Sequence, residues 1–458
     1  MKAVICGAGQ VGSNIARALA RERIDVTVID TSEELCRKIS DTLEVQAITG
    51  FASHPHVLER AGTADADLLI AVTHSDEVNM VACEVAGAIF NVPKKIARVR
   101  SQSYLSPMYG DLFGRDHMNI DLIISPEIEV AQMINRDLRT PGAFDVVPLA
   151  NGALQGIGVH CNADCPVVNT PLRQLTDLFP DLHILIVAII RDGKPAIPNP
   201  EDQLQAGDDV YFVVEPERVK RALAAFGHEE REARRLVIIG GGNIGLFLTS
   251  QIEREFQHAN IKLIEFNAER AKLVASSLQR TVVINGDGLD ADIMDEAGVR
   301  LADTVVAVTN DDETNILASL LAKRAGAANT MALVNKMAYE PLASSLGIDT
   351  FISPRATTVS SILEHVRKGR IHAVHALRSE VGELIEGEVL QTSGMAGKAL
   401  RDIEMPEGSM VGALLRGGKP IMPRGDTEVK LGDHVVVMAL SESVKKVERL
   451  FAVRLEYF

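Results

Sequence analysis

Gly7-Ala8-Gly9-Gln10-Val11-Gly12 follows the apolar run Ala3-Val4-Ile5-Cys6 and precedes Ser13-Asn14-Ile15-Ala16-Arg17-Ala18-Leu19-Ala20. The run reads as a buried parallel strand, and the segment after it carries apolar residues at helical spacing. Glycines at 7, 9 and 12 allow a sharp strand-to-helix turn, close approach of a pyrophosphate, and tight helix–strand packing. The helix that follows aims free N–H groups and its positive dipole end at such a phosphate. Asp30, ending the next apolar run Val26-Thr27-Val28-Ile29, is spaced to accept a ribose hydroxyl. This context turns a weak glycine pattern into an expected nucleotide site.

The chain contains this unit twice. Gly240-Gly241-Gly242-Asn243-Ile244-Gly245 follows the strand Leu236-Val237-Ile238-Ile239, and Glu265 closes Ile261-Lys262-Leu263-Ile264 as Asp30 closes its own strand. Farther along, Gly50, Gly62, Thr73 and Asn79 recur as Gly286, Gly298, Thr309 and Asn315, every pair at the same offset. Such a steady register marks an internal repeat. In the first repeat, strands near 3–6, 26–30, 45–49, 67–72, 94–99 and 120–124 alternate with helical patterns, which specifies a doubly wound parallel sheet. Its crevice lies at the carboxyl ends of the strands, so Gly50, Thr73, His74 and Arg98 share a rim with the glycine turn. Thr309 and Asn310 occupy the matching rim of the second repeat.

Each repeat is followed by a shorter strand-rich piece. Arg191-Asp192-Gly193-Lys194-Pro195 and Gly207-Asp208 correspond to Arg416-Gly417-Gly418-Lys419-Pro420 and Gly432-Asp433, again at one constant offset. Asp-Gly and Gly-Gly between apolar runs read as hairpin turns. The expected organisation is α/β: two tandem Rossmann-like domains at 1–140 and 229–371, followed by small β-rich α+β domains at 141–228 and 372–458. A charged segment, 228–235, joins the halves and reads as a solvated helix end or linker.

Composition narrows the function. Across 458 residues the net charge of −15 argues against nucleic acid and anionic lipid as direct partners, and 4% aromatics without Trp against base-stacking surfaces. The longest uninterrupted apolar stretch, Ile184 to Ile190, is strand-length rather than membrane-length. Met1-Lys2 leads straight into the first strand, so no leader is expected and cytoplasmic residence is. The five cysteines suggest no disulfide framework, and Cys161 and Cys165 lack the spacing of a metal or redox pair.

A dehydrogenase needs a proton donor or acceptor and a substrate pocket beside the nicotinamide. The strand-rich pieces offer little room for one, and His74 aligns with Asn310, which favours a polar ligand contact over catalysis. His54 and His56 have no histidine counterparts and read as local polar residues, not metal ligands. Ser75-Asp76-Glu77 and Asp311-Asp312-Glu313 begin helices, where they complement the dipole and cap N–H groups. The two crevices differ at one strand: Arg98 and Arg100 align with Leu333 and Asn335. Arginine there can pair with a phosphate extending beyond the glycine turn, while a surface salt bridge is the competing reading for Arg100.

The tandem Rossmann units with an acid at the second strand, Ala71-Val72-Thr73 before the Asp76-Glu77-Val78-Asn79 helix, and small β-rich pieces resemble RCK (KTN) regulatory domains. Two such units in one chain resemble the peripheral subunits of Trk-type potassium uptake, over essentially the whole length. The resemblance implies a nucleotide site at Gly7 to Val11, Asp30, Thr73-His74 and Arg98, and a second at Gly240 to Ile244, Glu265 and Thr309-Asn310. It implies NAD(H) or, alternatively, ATP/ADP as ligand, and unequal affinities because Leu333 replaces arginine. It further implies a homo-oligomeric cytosolic ring on a membrane potassium transporter of the Trk type, with occupancy coupled to gating. An NAD-dependent oxidoreductase and a regulator of a different cation channel or antiporter stay open as alternatives. An acid at Asp30 suits any ribose without a 2′-phosphate and disfavours NADP.

Overall fold

The structure is a computed structural model describing all residues except 22–23, 102, 106, 115, 180–181, 230–231, 337–338, 340–345, 367–370, 378–380, 392 and 452–458. Part of the charged segment 228–235 therefore lies outside the described residues. The first Rossmann domain runs β1 (Lys2–Cys6), α1 (Gln10–Arg21), β2 (Asp25–Asp30), α2 (Glu33–Thr42), β3 (Gln46–Thr49), α3 (Pro55–Arg60), β4 (Leu68–Ala71), α4 (Asp76–Ala88), β5 (Lys94–Arg98), β6 (Leu122–Ile124) and α5 (Pro126–Arg139). The first strand-rich domain contributes β7 (Ala143–Leu149), β8 (Leu154–His160), α6 (Leu172–Leu178), β9 (Leu185–Arg191), β10 (Lys194–Ala196), β11 (Asp209–Val214) and α7 (Val219–Ala225).

The pattern then repeats. The second Rossmann domain has β12 (Arg235–Ile239), α8 (Asn243–Glu255), β13 (Asn260–Glu265), α9 (Ala268–Ser277), β14 (Val282–Asn285), α10 (Ala291–Ala297), β15 (Thr304–Ala307), α11 (Asp312–Ala325), β16 (Asn329–Leu333), β17 (Thr350–Ile352) and α12 (Pro354–Val366). The last domain has β18 (Ile371–Ala376), β19 (Gly382–Glu388), β20 (Lys398–Ala399), β21 (Ser409–Arg416), β22 (Lys419–Ile421), β23 (Glu428–Val429), β24 (His434–Leu440) and α13 (Val444–Phe451). Among the described residues no helix is long and apolar enough to cross a membrane.

The chain divides into two compact units: residues 1–132 with 235–366, and 133–234 with 367–458. In the first unit both Rossmann sheets are parallel, in the orders β3-β2-β1-β4-β5-β6 and β14-β13-β12-β15-β16-β17. Residues of β1 and β4 such as Ile5, Leu69 and Ile70 are wholly buried, because helices cover both sheet faces. Cys6 pairs with Ile29 and with Ala71, so β1, β2 and β4 end level with one another. That register puts Gly7, Asp30 and Thr73 on one rim. The packing of α12, from the second half of the chain, on α1 has no local sequence signal. Its Ile362 and Val359 join a core with Ile15, Leu19 and Val28, and Lys94 Nζ donates to the His365 carbonyl.

In the second unit the sheets are antiparallel, in the orders β7-β8-β11-β9-β10 and β18-β19-β24-β21-β22. The hairpin turns form at Asp192-Gly193 and Gly417-Gly418, all four residues at positive φ, so that Arg191 pairs with Lys194 and Arg416 with Lys419. One face of each sheet packs on its own domain's helix. The opposite faces pack on each other, through Leu149, Val187 and Val213 on one side and Leu384, Leu415 and Val436 on the other. This two-sided burial is why β11 and β24 read as unbroken apolar runs. Arg191 and Arg416 each grip a buried aspartate with two 2.8–2.9 Å bonds, to Asp208 and Asp433, and so lock equivalent turns.

Buried Glu386 on β19 joins the two strand-rich domains. It accepts from the Ala150 N–H at 2.9 Å, from His375 Nε2 at 2.9 Å and from His434 Nε2 at 2.8 Å. An ionised carboxylate only accepts, so both histidines present Nε2–H to it. Burial pushes this carboxyl up, but the bonds from His375 and His434 outweigh burial and lower it from 4.5 to about 2. A carboxyl lowered on folding stabilises the fold above its unfolded value and loses that contribution as pH falls. The contribution, on the order of 3 kcal/mol, fades between about pH 4.5 and pH 2. Glu386→Gln is expected to be less stable at pH 7 and to flatten the pH dependence of urea unfolding across that window; an unchanged slope contradicts the assignment.

Candidate functional site

Each glycine turn is held from two directions. Gly7 adopts φ 114° and donates to the Ile29 carbonyl at 2.7 Å; Gly240 adopts φ 109° and donates to Ile264 at 2.8 Å. Asp30 Oδ2 accepts from Ala8 N–H at 2.7 Å while Oδ1 accepts from Ser32 N–H at 2.8 Å. Glu265 repeats this with Gly241 N–H at 2.7 Å and Asn267 N–H at 2.8 Å. The strand-end acid therefore ties the turn to the start of the next helix, beyond the ribose contact expected of it.

The three glycine positions do different work. A Cβ on Gly12 would sit 1.8 Å from the Gly7 carbonyl oxygen, and one on Gly245 1.9 Å from that of Gly240. These glycines let α1 and α8 close on the strand. At Gly9 and Gly242 a Cβ meets nothing within 4 Å. Those positions face the open crevice, where the first N–H groups of α1 and α8 have no helical partner.

In the first Rossmann domain the crevice is a cavity of about 610 Å³. Of the residues expected there, Gly7, Gly9, Gln10, Val11, Asp30, Gly50, Thr73, His74 and Arg98 line it, while Ala8 and Gly12 support it from behind. Ala97 and Val99 face one helix layer and Ile96 the other, so strand alternation brings Arg98 out on the crevice side. Among the described residues the buried Arg98 Nε has no hydrogen-bond partner. Burial, and after it the Arg100 guanidinium, lowers Arg98 from its ordinary value, with Glu127 and Asp76 opposing. An unsatisfied buried N–H is costly, and Arg98 lines the cavity, so its guanidinium is the cation placed to meet an anion there.

Arg100 stands elsewhere. Its Nε donates to Glu127 Oε1 at 2.8 Å, and it lines a cleft of about 1140 Å³ between the two Rossmann domains rather than the first crevice. Its salt-bridge reading is thus the one the geometry fits, because α5 brings a buried carboxylate to it. Asp76 is a similar correction. Ser75 caps α4 by accepting from Val78 N–H, whereas buried Asp76 accepts from the N–H groups of Arg100 and Ser101 at 3.0 and 2.8 Å. Asp312 does the same for Asn335 and Lys336, while Asp311 caps α11.

Three contributors escape motif reading. Asn79 accepts from Thr73 N–H and Oγ1–H and donates Nδ2–H to the Arg98 carbonyl at 2.9 Å, which clamps the end of β4 to the end of β5. Asn315 repeats the clamp on Thr309 and Leu333. Recurrence of this asparagine at the constant offset of the repeat was its only sequence signal. Second, Asn335, Pro354 and Thr358 from the other half wall the first crevice. Third, Arg270 Nε donates to the Gly241 carbonyl at 2.7 Å.

In the second Rossmann domain Gly240 to Gly245 and Glu265 reproduce the turn, Thr309 is held by Asn315, and Asn310 is exposed on the rim. Asn243 opens α8 and lines the interdomain cleft, Ile244 follows it in the helix, and Leu333 is buried where Arg98 stands in the first domain.

Models of the TrkA-N domain match residues 3–126 and 236–354, and models of the TrkA-C domain match 160–227 and 384–452. The chain belongs to the TrkA family. A Trk system potassium uptake protein TrkA from Azorhizobium caulinodans is 51% identical over 458 residues, covering both chains completely. The TrkA of Halomonas elongata is 39% identical over 462 residues, again over the whole of both. Among solved structures, the GsuK RCK domain shares the fold at TM-score 0.62 and 19% identity, covering 99% of this chain and 95% of its own. A GsuK channel bound to NAD matches at TM-score 0.62 and 19% identity, over 99% of this chain and 79% of that one.

The glycine geometry has a direct test. Gly12→Ala drives a methyl into backbone and is expected to cost at least about 2 kcal/mol in urea unfolding. Gly9→Ala, which meets open space, is expected within about 0.5 kcal/mol of the native chain. Equal effects at both positions contradict the division of labour between them.

Proposed function

We propose that the chain is the nucleotide-binding regulatory subunit of a Trk-type potassium-uptake system. NAD(H) or ATP/ADP occupies the Rossmann crevices, and occupancy biases the conformation presented to a membrane potassium transporter. The observation that carries this reading is the composite wall of the first crevice, where Gly9 and Arg98 face Asn335, Pro354 and Thr358 of the other half. A ligand there touches both halves at once, so its binding energy differs between arrangements of the halves, which is what regulation by a ligand requires.

The crevice fits a nucleotide on chemical grounds. One open glycine position, Gly9, lies beside the N-terminus of α1, a carboxylate stands at the end of β2, and the Arg98 guanidinium lines the same cavity. When bound, the nucleotide supplies charge and contact surface rather than reactivity. Thr73 on the rim has its hydrogen bonds committed to holding strand ends. The full-length relatives, each a Trk system potassium uptake protein TrkA, support potassium uptake over control of a different cation channel or antiporter. The partners in this reading are the transporter, at the cytoplasmic face, and further copies of the chain in a homo-oligomeric ring; the net charge of −15 argues against nucleic acid and anionic lipid.

Binding without turnover is the expected behaviour. NAD(H) or ATP/ADP at about a hundred times Kd should stabilise the native chain by about 2.7 kcal/mol for each occupied crevice, read as a rise in Tm. Gly9→Asp and Gly242→Asp, which place a carboxylate where phosphate binds, should each remove part of that rise and together all of it. Sustained hydride transfer to small carbonyl substrates, or full ligand stabilisation of the double variant, contradicts the proposal.

A further inference from the structure

The two crevices carry their arginines in exchanged places. Leu35 and Arg270 are equivalent: each follows the strand-end acid at the same distance in sequence, and each donates its backbone N–H to the N-cap side chain of its helix, Ser32 or Asn267. In the first Rossmann domain the β5 position is Arg98 and the helix position is Leu35, and both line the cavity. In the second, the β16 position is Leu333 and the helix position is Arg270. One guanidinium per crevice is kept, but it approaches from opposite ends.

Arg270 is placed to act on a ligand of the glycine turn. Its Nε is fixed to the Gly241 carbonyl, which sets the guanidinium beside the turn, next to the N-terminus of α8, and its buried Nη2 has no partner among the described residues. It also lines the interdomain cleft with Asn243 and Phe247, facing Glu77 and Arg100 of the first domain. Glu77 accepts from Ser75 Oγ–H at 2.7 Å and Arg100 is engaged by Glu127, so both have a bond partner on their own side. The free donor of Arg270 has no such partner, and its desolvated N–H is a strong anion contact.

We infer that Arg270 is the phosphate-reading residue of the second crevice, acting on the phosphates seated at the glycine turn. Arg98 instead reads the far end of the phosphate chain in the first crevice. The second crevice therefore takes nucleoside diphosphates and triphosphates nearly alike, and the first favours the triphosphate. This rests on the nucleotide reading of both crevices and adds the residue that makes them unequal.

The test uses the full chain with one crevice blocked at a time, ADP and ATP as probes, and calorimetry as readout. With Gly9→Asp in place, the remaining sites should bind ADP and ATP within about threefold of each other, and Arg270→Leu should weaken both about tenfold or more. With Gly242→Asp in place, ATP should exceed ADP by about tenfold, and Leu35→Arg should raise ADP affinity and narrow that gap. The gain of affinity guards against an Arg270→Leu chain that merely folds poorly. Unchanged affinities in both Arg270→Leu and Leu35→Arg, with each glycine block effective, overturn the role of Arg270 alone. Binding untouched by Gly9→Asp and Gly242→Asp together overturns the crevice reading itself, and this inference with it.

Discussion

A single carboxylate at the end of the second strand organises each half of the molecule. Asp30 and Glu265 spend one oxygen on the glycine turn and the other on the N–H of the residue that caps the next helix. Charge-assisted bonds to backbone N–H groups are among the stronger ones available, and here two of them fix three chain segments. The turn cannot open without releasing the start of that helix. Asn79 and Asn315 extend the same logic across the rim by joining β4 to β5 and β15 to β16. The glycine turn, the proposed seat of the phosphates, is thus preorganised by the fold, which reduces the ordering cost of binding.

On this frame the duplication brings a second wall to the first crevice. Placing α12 of the second half against α1 makes the first crevice a composite of both halves, with Pro354 and Thr358 on its wall. A ligand shifts an equilibrium only as far as its affinities for the two states differ. In the function proposed here, walls contributed by both halves would create that difference, because separating them would remove contacts from a bound ligand. Between the strand-rich domains, Glu386 and the paired sheet faces make the connection.

Much of this was legible in the sequence. The apolar runs and their turn residues located the Rossmann strands and both hairpins, and Asp192-Gly193 and Gly417-Gly418 adopt the positive φ their turns demand. The glycine turns and strand-end acids were legible because each sits at a fixed offset from an apolar strand run, and Arg98 because it ends a strand on the same rim. What escaped depends on chain segments far apart in sequence. Arg100 is captured by Glu127 on α5, and Asp76 serves the loop after β5 instead of its own helix. The wall from α12 needs the chain to pass through a whole further repeat before it returns to α1, and no periodicity within 354–366 announces that return. Arg270 escaped for a different reason: it stands inside a helix, where an arginine is ordinarily solvated, and only comparison with Leu35 gives it meaning.

The central claim is that nucleotide in these crevices controls potassium flux through a partner transporter. The most direct measurement is flux in vesicles reconstituted with that transporter and the chain carrying Gly9→Asp and Gly242→Asp, with loss of nucleotide binding shown separately. Both substitutions enter open space in the crevice, so the chain should fold and associate normally. The account predicts that flux no longer responds to nucleotide while association persists. Normal nucleotide-dependent flux in the double variant would contradict it.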